Sequence, residues 1–220
     1  MLRRNLIAGG VAAAGLGAWA LTRPDAALAV DPLKAATTST APANPTTIMD
    51  MVLGSADAPV EIVEYASFTC PHCANFHANV YPQLKADYID TGKVRFVYRE
   101  VYFDRFGLWA SIIARCGGEM RFFGITELMY EKQREWTASG DPATIVNELR
   151  KLAKTAGLTD EMLDGCLNDA ENAQNLVGWY EANAKRDNIR STPSFLIDGE
   201  NYANMAYAEF QSVLDEKIGG

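Results

Sequence analysis

The chain has 220 residues, 48% of them hydrophobic, enough to bury one good core and a subsidiary one. Its 28 aspartates and glutamates outnumber 20 lysines and arginines, and the resulting net charge of −8 argues against nucleic acid as a partner. The cysteine count is four, an even number, which in an exported chain points to an oxidising compartment where disulfides persist.

The first 29 residues read as an export signal rather than as part of the core. Arg3 and Arg4 form a basic start, residues 6–21 are an uncharged apolar run, and Ala27-Leu28-Ala29 is a small-x-small cleavage site before Val30. Sixteen apolar residues are slightly short for a membrane span, so cleavage after Ala29 is the leading reading and an uncleaved anchor the alternative. The Arg3-Arg4 pair also permits a twin-arginine route. Cleavage removes Arg3, Arg4, Arg23 and Asp25 and takes the net charge from −8 to −10. Residues 30–47, rich in Thr, Ala and Pro, lack the large apolar side chains that ordering needs and are read as a tether.

Residues 48–54 offer a short apolar patch for an edge strand. Residues 60–66, V-E-I-V-E-Y-A, are nearly continuous in apolar side chains, as in a central strand covered on both faces. Period-two counting places Glu64 with Val60, Ile62 and Ala66, so its carboxyl is expected to be buried. From 71 to 90, Phe76, Val80, Leu84 and Tyr88 recur every four residues, one face of a helix that Pro82 is expected to kink. Gly92 is a C-cap, and Val94, Phe96 and Tyr98 alternate as in a second strand. Strand, helix, strand in about forty residues is a βαβ unit with parallel strands.

Residues 107–190 carry no strand signal. Helical segments fall at 108–116, 122–136, 142–156 and 160–188, the last broken once, with Asp141-Pro142 and Thr159-Asp160-Glu161 as starts and Gly157 as a stop. Residues 194–198, the Gly199 turn and residues 201–203 read as a hairpin, and Tyr207, Phe210, Leu214 and Ile218 mark a last helix with Asn204 as its cap. The expected architecture is α/β: a discontinuous unit of residues 48–106 and 191–220 carrying an inserted all-helical block, 107–190.

Between the first strand and the first helix stands C-P-H-C, Cys70 to Cys73. A thiol at a helix N-terminus meets unpaired backbone N–H groups and the positive end of the dipole, so Cys70 is expected to be a thiolate near neutral pH. Pro71 fits the first helical turn, and the His72 imidazole can donate to the sulfur anion or, protonated, pair with it. Cys73, one turn in, is the resolving thiol.

These residues, preceded by V-E-Y-A-S-F-T, resemble the DsbA family of thiol–disulfide oxidoreductases over residues 48–218. The resemblance implies a thioredoxin fold, with a very acidic Cys70 and a role for Glu64 in proton transfer with the active-site thiols. It implies a cis Thr192-Pro193 bond lying against the active-site disulfide, with the Thr192 backbone pairing to substrate. It further implies donation of the Cys70–Cys73 disulfide to unfolded or dithiol proteins in the periplasm by a monomer, with re-oxidation by a quinone-linked membrane partner of the DsbB type. No cofactor is expected, because electrons move between sulfurs.

Other chemistries compete. Cys70, Cys73, His72 and His77 allow a zinc site to be drawn, but a structural site wants a second pair of ligands, and His77 reads as a partly exposed helix residue. Ala74 excludes a c-type haem, whose motif requires histidine there. A reductase or isomerase, and a non-enzymatic chaperone or peptide-binding module with an inert Cys70–Cys73 staple, stay open. Cys116, beside Trp109, Ile112 and Ile113, and Cys166, after Met162 and Leu163, lie on apolar faces and are expected to form a structural disulfide, with two buried free thiols as the alternative.

Overall fold

The computed structural model describes residues 48–219; the expected export signal and the expected tether, 30–47, lie outside them. Five strands form one sheet in the order β1-β3-β2-β4-β5, where β1 is Met51–Leu53, β2 Val60–Ala66, β3 Val94–Glu100, β4 Ser194–Ile197 and β5 Glu200–Ala203. β2 and β3 run parallel with Val60 opposite Val94 and Ala66 opposite Glu100, as the βαβ spacing requires. β4 joins β2 antiparallel, Glu64 opposite Phe195, and β5 closes a hairpin on β4 through Gly199 at φ 82°. The apolar patch at 48–54 contributes only its last part, β1, on the β3 edge.

The expected helix over 71–90 is three pieces. α1 is Pro71–Asn79 and α2 Tyr81–Leu84, and a π-helical turn covers Lys85–Ile89. The break falls at Val80 (φ −113°), two residues before Pro82, because the ring of a proline crowds the turn that precedes it. The helices between β3 and β4 are α3 (Arg105–Cys116), α4 (Glu119–Glu131), α5 (Gln133–Trp136), α6 (Pro142–Thr155), α7 (Asp160–Leu167) and α8 (Ala170–Arg186). α3 begins three residues earlier than its apolar pattern because the Asp104 carboxylate accepts from the N–H groups of Phe106 and Gly107. The segment expected at 122–136 starts at Glu119 and breaks at Lys132. α9 is Tyr207–Gly219, and Asn204 does not cap it: Glu209 reaches back to accept from the Ala206 N–H, half of a capping box.

One hydrophobic cluster runs through sheet and helices alike. Ile62, Phe76, Phe96, Phe195 and Phe210 are continuous in it with Phe122, Met129, Trp136 and Leu149 of the helical block. The opposite face of the sheet carries Val63, Tyr65, Val97 and Val101, covered in part by Tyr180 and Ile189. Arg99 sits on that side in a polar cluster, donating to Asp50, Tyr65 and Asp187. Glu100, at the end of β3, is buried and takes a two-pronged pair from Arg115 at 2.6 and 2.7 Å. The result is a thioredoxin fold with a helical insertion between its third and fourth strands.

Cys116 and Cys166 are joined, linking the last turn of α3 to α7 with Cα atoms 6.0 Å apart. On the chain-entropy account a loop of 50 residues is worth at most about 4 kcal/mol. A Cys116→Ala/Cys166→Ala variant should therefore unfold at lower urea, by up to that amount in extrapolated stability, with its m-value showing whether the unfolded chain has also expanded.

Candidate active site

β2 ends at Ala66, and three residues later the chain enters α1 through a tight turn. The Cys70 N–H donates to the Ser67 carbonyl at 3.0 Å, and Thr69 Oγ1 donates to Asp104 at 2.9 Å, which ties the turn to the α3 cap. Cys70 is the N-cap residue, extended at φ −83° and ψ 118°, with Pro71 at the first helical position. No side chain caps α1, so its leading N–H groups stay turned toward the Cys70 sulfur. From the helical block, Gln133 Nε2 donates to the Phe68 carbonyl at 2.7 Å and the Cys70 carbonyl at 2.9 Å, holding both ends of the turn.

Cys70 and Cys73 are free thiols in unlike surroundings. Cys70 is 7% exposed and Cys73 not at all. Cys70 is covered by the 192–193 loop, where the Thr192 carbonyl lies 3.5 Å from Sγ and the Thr192–Pro193 peptide is cis. The Cys73 thiol is the largest cause that lowers the Cys70 pKa to about 5; burial opposes it, and the Thr192 hydroxyl and the N–H groups of Cys73 and His72 assist. Cys73 is pushed far up, first by burial, then by its bond to Cys70 and the charge of Glu64. The His72 imidazole is exposed, and what reaches the sulfur from this residue is its backbone N–H.

Glu64 is fully buried in the middle of β2, on the face with Val60, Ile62 and Ala66. Its partner corrects the sequence reading of His77: that residue is 8% exposed, and its Nε2 lies 3.1 and 3.0 Å from the two Glu64 oxygens. The reason is spacing, since His77 stands four residues after Cys73 and shares its inward face of α1. The ring stacks on Tyr130 at 4.2 Å and packs against Tyr81 and Phe76. His77 thus points at Glu64 and away from a metal role with the sulfurs. Around the pair, Tyr98 and Tyr130 bond to each other at 2.6 Å; burial, then the charge of Glu64, holds the Tyr98 phenol well above its ordinary range.

The structure therefore gathers Glu64, Cys70, Pro71, His72, Cys73, Thr192 and Pro193 in one place, and Cys116 and Cys166 in another. Sequence reasoning missed the pairing of His77, for which the i+4 spacing was a sufficient signal, and Gln133 and Asp104, for which sequence distance left none. No group of three or more His, Cys, Asp or Glu side chains among the described residues is placed to hold a metal ion.

The sequence model of the family described as Thioredoxin matches residues 46–216. The chain belongs to that thioredoxin family. Among its relatives there, a putative protein-disulfide oxidoreductase of Rickettsia bellii is 34% identical over 170 residues, 77% of this chain and 64% of the relative. Disulfide bond formation protein D of Bacillus subtilis is 28% identical, over 77% of each chain. The chain thus spans somewhat less than two thirds of the length of the rickettsial relatives. Among solved structures, alpha-DsbA1 of Wolbachia pipientis superposes with a TM-score of 0.69 at 28% identity, covering 77% of this chain and 91% of that one. BdbD of Bacillus subtilis, in its oxidised form, gives 0.69 at 25% identity, over 78% and 94%. The thioredoxin-family fold is thus of the DsbA-like kind, with the helical insertion in place.

Gln133→Leu in this thioredoxin-family chain leaves the buried Phe68 carbonyl without a donor, while the Cys70 carbonyl keeps the Ala74 N–H. Thermal or urea unfolding should show a loss of roughly 1–3 kcal/mol, several times the effect of changing exposed Gln83 to Leu.

Proposed function

We propose that the protein is a thiol–disulfide oxidoreductase that works as a dithiol oxidase, passing the Cys70–Cys73 disulfide to exported substrate proteins. The observation that carries this reading is the opposed tuning of two sulfurs one helical turn apart. Cys70 is held as an anion near pH 5 and above, while Cys73 is held protonated. A substrate thiolate attacks Cys70, Cys73 leaves and takes a proton, and a second substrate thiolate then attacks the substrate's own sulfur in the mixed disulfide, releasing Cys70 as the thiolate. Stabilising that anion favours the reduced enzyme, so the oxidised enzyme is driven to oxidise others rather than to reduce them. This supports the oxidase reading over a reductase or isomerase on the same scaffold, and an inert staple would have no use for it.

The cis Thr192-Pro193 loop over Cys70 supports a role in substrate docking, with Thr192 backbone groups beside the sulfur that forms the mixed disulfide. The names of the relatives, protein-disulfide oxidoreductase and disulfide bond formation protein, agree with the reaction class. The electrons pass between sulfurs, so the proposal includes no cofactor. It includes export by the N-terminal segment to the periplasm, action as a monomer, and re-oxidation by a quinone-linked membrane partner of the DsbB type. No helix among the described residues is long and apolar enough to cross a membrane.

Cys70→Ser should abolish oxidation of a reduced, unfolded dithiol substrate, and Cys73→Ala should accumulate mixed disulfides visible on non-reducing gels; full turnover by the Cys70 variant would overturn the reading.

The pH dependence of the midpoint potential tests the tuning directly. Because the Cys70 pKa is depressed in the folded reduced protein, its stabilisation of that state is complete above the ordinary thiol range near 9 and is lost as pH falls through about 5. Equilibration against a redox buffer should therefore give a slope of about 30 mV per pH unit near neutrality, where reduction takes up one proton, and about 60 mV below pH 5, where it takes up two. The steeper slope throughout would mean that Cys70 is an ordinary thiol.

A further inference from the structure

Proton movement at Cys73 needs a route that the two sulfurs do not provide. Oxidation of a substrate dithiol moves two electrons onto the enzyme sulfurs and frees two protons. One ends on Cys73 and one in solvent, because Cys70 remains an anion. Cys73 is fully buried and its thiol is held protonated, so every opening of the Cys70–Cys73 bond brings a proton in and every closure sends one out. Glu64, whose charge acts on that sulfur, is itself sealed from solvent.

What Glu64 does touch is His77, through Nε2. On the other edge of the ring, Nδ1 is buried and has no hydrogen-bond partner among the described residues, and the same holds for the Tyr81 hydroxyl. His77 and Tyr81 both line a cavity of about 420 Å³ whose walls also include Tyr130, Lys85, Glu127 and Glu131. At about 30 Å³ per molecule this is room for several waters, with Lys85, Glu127 and Glu131 to hold them next to the His77 ring. Neither Cys70, Thr192 nor Pro193 lines it, so a substrate lying on the sulfur would leave it open.

We propose that His77 relays protons between Glu64 and water in this cavity, serving the reaction through Glu64 and not by contact with sulfur. Imidazole suits the task because it takes a proton on one nitrogen and releases one from the other without turning. The groups facing it are Glu64 from β2, Tyr98 from β3, Tyr81 from α2, and Tyr130 and Glu127 from α4, with Lys85 at the cavity wall. The three phenols are held above their ordinary range by burial and so keep their protons near neutral pH.

The inference rests on the oxidoreductase reading, and one experiment separates the two. Reduced full-length protein is mixed with excess oxidised glutathione, quenched with acid at intervals and weighed by mass spectrometry. In the first step the Cys70 thiolate forms a bond to one glutathione sulfur and the other glutathione leaves as a thiolate, with no proton moved on the enzyme. In the second step Cys73 gives up its proton, bonds to Cys70 and expels the second glutathione. His77→Gln, which can still donate to Glu64 but cannot pass a proton on, should leave the first step within about twofold and slow the second by about tenfold or more. His77→Ala should be slowed likewise and recover as free imidazole is added. An unchanged second step in His77→Gln, an equal slowing of both steps, or a folded His77→Ala that imidazole does not restore would each overturn the relay. Wild-type protein that forms neither a glutathione adduct at Cys70 nor the Cys70–Cys73 disulfide would instead refute the oxidoreductase reading and take the relay with it.

Discussion

A carboxyl group with no access to water stands in the central strand of this sheet, and the packing around it follows from that. An unpaired buried charge costs several kcal/mol, so Glu64 is tolerable only with a hydrogen-bonding partner, and His77 is brought to it by the last turns of α1. The imidazole is in turn clamped by Tyr130 of α4, Tyr81 of α2 and Phe76 of its own helix. One strand and three helices thus meet at a single polar pair inside an otherwise apolar cluster. The placement of α1 over β2 that satisfies the carboxyl also fixes where the helix begins, and its beginning is where Cys70 sits.

The two sulfurs differ because the same helix treats them differently. Cys70 precedes the first turn and receives N–H groups that no carbonyl claims; Cys73 is inside the helix, on the face pressed against the sheet. Each then reinforces the other, since the Cys73 thiol donates to the Cys70 anion and the anion makes it harder for Cys73 to ionise. The asymmetry needs no metal and no charged side chain at the surface. Exposed His72 contributes through the main chain, a role that any residue other than proline at that position would retain in part.

Much of this was readable in the sequence because it is local. The C-P-H-C spacing, the period-two placement of Glu64 on the Ile62 face, the parallel pairing of 60–66 with 94–99 and the break in the last helical stretch all follow from neighbours within a turn or a strand. Where the reading failed, distance or competition was responsible. Asn204 lost the cap to Glu209, because a carboxylate three residues into the helix reached the free N–H. His77 was read as partly exposed although its offset from Cys73 placed it inside. Gln133 carried no signal at all: its bonds are to carbonyls 63 and 65 residues away, and nothing in a string of letters marks which buried glutamine will find them.

Gln133 also gives the helical insertion a meaning beyond its bulk. It belongs to the inserted block, yet its amide is the donor for carbonyls on either side of the redox turn, and the block's apolar side chains are continuous with those under the sheet. The insertion is therefore a wall of the active site rather than a cap set upon a finished one. A minimal version, with 105–186 excised and the strands rejoined, would keep Cys70, Cys73 and the cis-proline loop, lose the Cys116–Cys166 bridge, and strip the Phe68 carbonyl of its donor and the Cys70 carbonyl of one of two. Transplanting the C-P-H-C motif alone into a bare scaffold of this fold would likewise move the reagents without the brace that holds them.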